Sequence, residues 1–307
     1  MSETPIETRF VDARGLRFEV QTCGDPKAER LALCLHGFPE LAYSWRHQLP
    51  MLAKLGYRVW APNQRGYGKS SRPRGRAAYR VDALVAAVAA LVDAAGARSL
   101  TLIGHDWGGM VAWLFALRAV RKLEGLVVMN LPHPTRFREA LKFRAQRRRS
   151  LYALFFQLPW LPERLLTARN AWAIGEAFRG MAVDKSRFPE EVLDVYRRHA
   201  LEPGALTAML NWYRAMRSSR NLKEEFPILD TRTLMIWGTQ DTALGLETTS
   251  RTEELVRDFT IRYLPVSHWV QQEAPEAVNE ILEAWLCGQP VPDPMPAGID
   301  RAPEPGK

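Results

Sequence analysis

The amino-acid sequence predicts an α/β protein: a mostly parallel sheet flanked by helices, with a helical cap inserted late in the chain. Three observations carry that expectation. Short apolar runs, LALCL (31–35), YRVWA (57–61), SLTLI (99–103), LVVMN (126–130), TLMIW (233–237) and FTIRYL (259–264), suit strands buried on both faces. Helical patterns separate most of these runs, and strands that alternate with helices build parallel sheets. Between about Pro134 and Pro227 no strand pattern occurs, only helix-like text rich in Arg, Trp and Leu. Such a stretch is far too long for a simple connection inside a sheet.

The elements follow in order. Residues 7–22 alternate apolar and polar side chains around Arg14-Gly15, the pattern of a hairpin. The run VDALVAAVAALVDAAG (81–96) is a helix stopped by its final glycine, and Met110–Val120 is a second helix-like run. The expected core is therefore 1–133 together with 228–287, and the cap is 134–227. The last twenty residues, 288–307, hold six prolines and few apolar anchors, so a disordered tail is expected there.

Composition narrows the class of function. With 307 residues, 47% apolar and 25% charged, the chain can bury a large core. Cys23, Cys34 and Cys287 are far apart and odd in number, so neither a disulfide framework nor a metal site is expected. The start MSETPIETRF lacks the charged and apolar parts of a signal peptide, and no run reaches the ~18 apolar residues of a membrane span. A cytoplasmic location is expected. The net charge of +8 peaks at Lys142–Arg149, a run that could be a patch for phosphates or a membrane surface; no aromatic interleaving or binding motif accompanies it, so it reads as a solvated helix face and no nucleic-acid partner is expected.

The chemistry is carried by GHDWGG (104–109), where a strand-like run meets a helix-like one. It has the outline of a nucleophile elbow, Gly-x-nucleophile-x-Gly, with Asp106 in the position usually taken by serine. A carboxylate there can attack an electrophilic carbon and form an ester. HGFPE (36–40) follows the first buried strand and can aim the N–H of Phe38 at the point reached by the N–H of Trp107, an oxyanion hole. Asp241 in WGTQDTAL and His268 in PVSHWVQQEAP each lie just past a strand. The order nucleophile, acid, histidine is that of the α/β-hydrolases. Asn130, at the end of an earlier strand, cannot be the acid. His36 and His105 are expected to hold turns. NQRGYGKS (63–70) ends like a phosphate loop but lacks the required first glycine, so no nucleotide cofactor is expected.

An aspartate elbow points to carbon–halogen or epoxide opening. An opening epoxide leaves a basic alkoxide and needs an acid, which a tyrosine O–H can be at neutral pH. Tyr152 in SLYALFFQ and Tyr213 in LNWYRAM are candidates within the cap segment. With HGFPE, RGYGKSSRP (65–73), GHDWGG, YALFFQ, NWYRAM, WGTQD and SHWVQQEAP in order over roughly residues 7–286, the chain resembles a cap-bearing epoxide hydrolase of the α/β-hydrolase superfamily. The resemblance implies hydrolysis of an epoxide to a vicinal diol through an ester on Asp106. It implies a charge-relay pair Asp241–His268, and Tyr152 and Tyr213 holding the epoxide oxygen. Phe38, Pro39, Trp107, Phe156, Trp212 and Trp269 are expected to line a pocket for an apolar or aromatic epoxide, in a monomer or homodimer. Two positions depart from the family pattern: Ser267, where glycine is usual, and Asn63-Gln64, where an acid is more usual.

Two other readings remain at this point. Haloalkane dehalogenases also place Asp-Trp at the elbow, with the Trp107 indole as halide donor. They often carry Asn where this chain has Phe38, so Trp160, Trp172 or Trp212 would have to stand in. A ligand-binding receptor on a hydrolase fold would be expected to have lost a catalytic member, and none is missing here.

Overall fold

In the computed structural model residues 5–216 and 224–295 are described. The chain opens with strands β1 (Glu7–Ala13) and β2 (Leu16–Cys23). Their hairpin turns at Arg14 and Gly15, both at positive φ, the geometry of a two-residue turn that matches strand twist. Then come β3 (Arg30–Leu35), α1 (Gln48–Lys54), β4 (Arg58–Pro62), α2 (Val81–Ala95), β5 (Ser99–His105), α3 (Trp107–Leu117) and β6 (Gly125–Met129). Six helices follow without a strand: α4 (Pro134–Ala140), α5 (Arg144–Arg149), α6 (Leu151–Phe155), α7 (Leu161–Arg179), α8 (Glu190–Leu201) and α9 (Ala205–Met216). Strands β7 (Thr233–Gly238) and β8 (Phe259–Leu264), then α10 (Val270–Glu273) and α11 (Pro275–Leu286), follow among the described residues.

The strands form one sheet in the order β1-β2-β4-β3-β5-β6-β7-β8, parallel from β4 to β8 and antiparallel at the β1-β2-β4 edge. Side chains alternate across it, and the two faces feed different cores. Leu31, Leu33 and Leu35 face α2 and α3, whereas Ala32 and Cys34 face the side covered by α1 and α11. This double burial is why β3, β5, β6 and β7 read as continuous apolar runs. Helix α2 ends where Gly96 takes a left-handed conformation, as its glycine stop foretells.

Some boundaries differ from the sequence reading. Helix α3 begins at Trp107, three residues before the expected Met110, and ends at Leu117. Gly108-Gly109 reads as loop by propensity, but packing overrides it. A Cβ on Gly108 would run into the carbonyl of Leu35, so glycine here lets the helix lie against β3. Strand β6 stops at Met129, leaving Asn130 just beyond it at φ 42°. Of the stretch expected to be a cap, residues 217–223 lie outside the described residues, as do 296–307 of the expected tail. Arg262 on β8 donates to the carbonyls of Val291 and Pro292.

Candidate active site

Loops after five parallel strands converge at the sheet's carboxyl edge, where open α/β sheets place ligands. They carry Phe38 (after β3), Asp106 (β5), Asn130 (β6), Asp241 (β7) and His268 (β8). Asp106 sits at φ 49°, ψ −121°, a strained conformation for a non-glycine residue that turns the side chain away from strand and helix alike. Gly37 has to be small at this point: a Cβ there would lie 2.5 Å from the Asp106 carboxyl oxygen. Gly37→Ala is expected to displace the carboxylate and lower kcat/KM by roughly a hundredfold, with the melting temperature little changed. Unaltered kinetics would show that the turn yields and that the close approach is not needed.

The Asp106 carboxylate is held asymmetrically. Its Oδ1 accepts the Phe38 N–H at 2.8 Å, while Oδ2 lies 3.6 Å from His268 Nε2, beyond a good hydrogen bond. Burial alone would raise this carboxyl, but the nearby His268 and His105 and the Phe38 N–H hold it below its usual value. Trp107 heads α3, so its N–H has no partner within the helix. The other side of His268 is anchored tightly, with Nδ1 2.6 Å from Asp241 Oδ2. Asp241 is fully employed: Oδ1 accepts from the N–H groups of Ala243 and Leu244, and Oδ2 also accepts from Asn130 Nδ2 at 2.8 Å. Burial pushes His268 down, yet the two carboxylates outweigh it and raise the imidazole to about 10.

Tyr213 and Tyr152 come from α9 and α6 and meet over Asp106, their rings 6.0 Å apart. Burial first, then the Asp106 charge, raises the Tyr152 phenol; burial and the neighbouring negative groups do the same for Tyr213. Both are therefore protonated at neutral pH. Their two motifs hold each other. Gln157 donates to the Tyr213 carbonyl, and buried Arg214 donates to the carbonyls of Phe156 and Leu158 while pairing with Glu163. The Gln of YALFFQ and the Arg of NWYRAM thus act as positioning groups.

Two cavities flank the carboxylate. One of about 270 Å³ is lined by Phe38, Pro39, Phe156, His268 and Trp269 beside Asp106 and both tyrosines. The other, about 410 Å³, runs past Trp107, Met110, Leu131 and Leu141 toward Leu151 and Leu154, again with Asp106 and both tyrosines in its wall. Trp212, expected in the pocket, lines neither. It packs behind Trp107 and is turned away because its indole donates to the Arg65 carbonyl.

Sequence reasoning missed a buried support behind the histidine. Glu40 of HGFPE is fully buried and accepts from the Gly37 N–H, Gln271 and Gln272. His105 bridges it to the site, with Nδ1 2.7 Å from Glu40 and Nε2 2.8 Å from the His268 carbonyl. The available signal was a carboxylate inside an otherwise apolar turn. The two departures also find reasons. Ser267 is buried and bonds Glu273, whose other oxygen accepts the N–H groups of Val183 and Asp184 between α7 and α8. Asn63 donates to Glu19 at 2.7 Å, a bond that an ionised acid at position 63 would turn into repulsion.

The chain belongs to the α/β-hydrolase fold family, whose family model matches residues 33–275. It is 38% identical over 279 residues to mouse (Mus musculus) epoxide hydrolase 4, covering 89% of this chain and 77% of that one. It is 35% identical to the AB hydrolase superfamily protein YfhM of Bacillus subtilis, covering 92% and 99%. Its fold superposes on the inhibitor complex of Bacillus megaterium epoxide hydrolase with a TM-score of 0.83 at 27% identity, over 91% of this chain and all of that one. Within the family the chain is grouped with the epoxide hydrolases.

Proposed function

We propose that the protein hydrolyses an epoxide to a vicinal diol through an ester on Asp106. The observation that carries this reading is a buried, ionised carboxylate at a strained elbow, with a histidine–aspartate pair behind it and two protonated phenols in front. The residues would divide the work as follows. Asp106 Oδ2, the oxygen not engaged by Phe38, attacks an epoxide carbon. The carbon–oxygen bond breaks, its electron pair stays on oxygen, and Tyr152 or Tyr213 supplies the proton. Water then attacks the ester carbonyl as His268 takes its proton and Asp241 steadies the imidazolium. The charge growing on Oδ1 meets the N–H groups of Phe38 and Trp107. Collapse breaks the bond between the Asp106 carboxyl carbon and Oδ2, the departing alkoxide takes the proton back from His268, and the acid proton left on Asp106 returns to the tyrosinate, so that diol, carboxylate and phenol are all restored.

In the same reading residues 134–227 are a cap closing over a core of 1–133 and 228–287. The N–H of Val183 and the Trp269 indole, which donates to the Ala177 carbonyl, tie the two together. The apolar walls suit aryl or alkyl epoxides. Three scattered cysteines suit a reducing, cytoplasmic compartment.

Product analysis on styrene oxide, an aliphatic epoxide and a bromoalkane tests the class: diol from the epoxides supports it, and bromide release without diol overturns it. Tyr213→Phe and Tyr152→Phe are each expected to retain partial turnover because the other phenol can donate, whereas the double variant should lose roughly 10³-fold or more. Unimpaired turnover in the double variant would remove the tyrosines from the mechanism. The dehalogenase reading is disfavoured by its second halide donor. Trp160 and Trp172 are 66% and 53% exposed at the surface, and the Trp212 indole is already engaged with Arg65.

A further inference from the structure

Leaving aside Tyr152 of the site, seven of the twelve large apolar side chains that stand exposed among the described residues fall within residues 143–172. Leu151, Leu154, Trp160, Leu165 and Trp172 are each more than half exposed. Single exposed leucines need no account, but such a concentration within thirty consecutive residues, running across the break in α7 at Ala168–Ala171, sets this segment apart from the rest of the described surface. The same thirty residues contain six arginines against a single acid, Glu163, and Glu163 is taken by Arg214. Arg149 pairs with Glu247, while Arg144, Arg147, Arg148, Arg164 and Arg169 make no ion pair among the described residues. Arg147, Leu151 and Leu154 also line the larger cavity, so that cavity opens through this surface.

We propose that this face of the α5–α7 segment docks on a lipid bilayer bearing anionic headgroups, with the mouth of the larger cavity set against the membrane. Tryptophan and leucine settle at the headgroup boundary while arginine reaches the phosphates, and this surface interleaves those residue types. Among the described residues no helix is long and apolar enough to cross a membrane, so attachment is peripheral. A second copy of the chain fits poorly, because a twofold contact would set unpaired arginines against one another. Docking stands independently of the reaction. Its use, passing apolar epoxides from the bilayer into the cavity, rests on the hydrolase reading.

The test is flotation of the full chain with phosphatidylcholine vesicles, with and without about one third phosphatidylglycerol, at low and high salt. Binding to the anionic vesicles alone, weakened by salt, is expected. The double variant Arg144→Glu/Arg148→Glu should lower that binding roughly tenfold or more, and Leu165→Gln/Trp172→Gln should lower it as well. Both should keep wild-type turnover of a small water-soluble epoxide, which shows them folded. Failure of the wild type to float, or equal flotation of both double variants, overturns the proposal. A concentration-dependent dimer abolished by Leu165→Gln/Trp172→Gln would also overturn it, in favour of a second copy. Asp106→Ala should float like the wild type, so loss of docking and loss of the reaction are read separately.

Discussion

Asp106→Ala is expected to abolish diol formation, by roughly 10⁴-fold or more in kcat. The size follows from what is removed. The other groups bind the epoxide and donate to its oxygen, but none can form the ester. Alanine keeps the elbow's geometry without a carboxylate, and the loss of that charge also removes one of the two influences that raise His268. A single turnover in isotopically labelled water adds a check that inactivity alone does not give. If Oδ2 is the attacking atom, the diol from the first turnover carries the Asp106 oxygen and is unlabelled, and the water oxygen enters the aspartate. Label in the first diol would mean that water attacks the epoxide directly. Asp106 would then be an electrostatic group, and the alanine variant should retain measurable turnover.

The sequence made this chemistry legible because its parts lie in local patterns. A strand, a turn and a helix in succession define the elbow, and Asp241 follows an apolar run that is buried throughout, whereas FTIRYL before His268, expected to be buried on both faces, is the edge strand and only its Leu264 is buried. What stayed hidden is non-local. Asn130 looked merely unfit to be the acid, yet it orients Asp241, more than a hundred residues away, and its side-chain Oδ1 also accepts the Gly238 N–H. Glu40 gave no periodic signal, since its partners Gln271 and Gln272 come from the far end of the chain. Trp212 misled for the opposite reason. Its neighbour Tyr213 points at the nucleophile, and consecutive helical residues diverge by about 100°, so one faces the site while the other packs on the Arg65 backbone. The early start of α3 is a further case: of two glycines that signal loop in isolation, Gly108 is required by the close approach of β3 and Gly109 lies tight against the side chains of Val128 and Leu131.

His268→Gln should open the epoxide normally and then stall, leaving one alkyl group per protein on Asp106. Mass spectrometry should show that adduct, and release should slow roughly 10²–10⁴-fold, the range of a general base. Full-rate turnover would assign the base to another group. The charge balance explains why His268 acts in the second step and not the first. In the resting site two carboxylates hold the imidazole protonated against burial, raising it to about 10. Esterification neutralises Asp106, so burial opposes Asp241 alone and the imidazole falls back toward its ordinary range. It becomes a base only once there is an ester to hydrolyse. The sign of the stability effect follows from the same shift. A folded-state pKa raised above the ordinary 6.5 gives stability that is fully present below that pH and is lost as pH climbs toward about 10. The wild type should therefore lose melting temperature between those limits more steeply than His268→Gln. Parallel curves would mean that the two carboxylates do not hold the charge on His268, and that its basicity is not set by the state of Asp106.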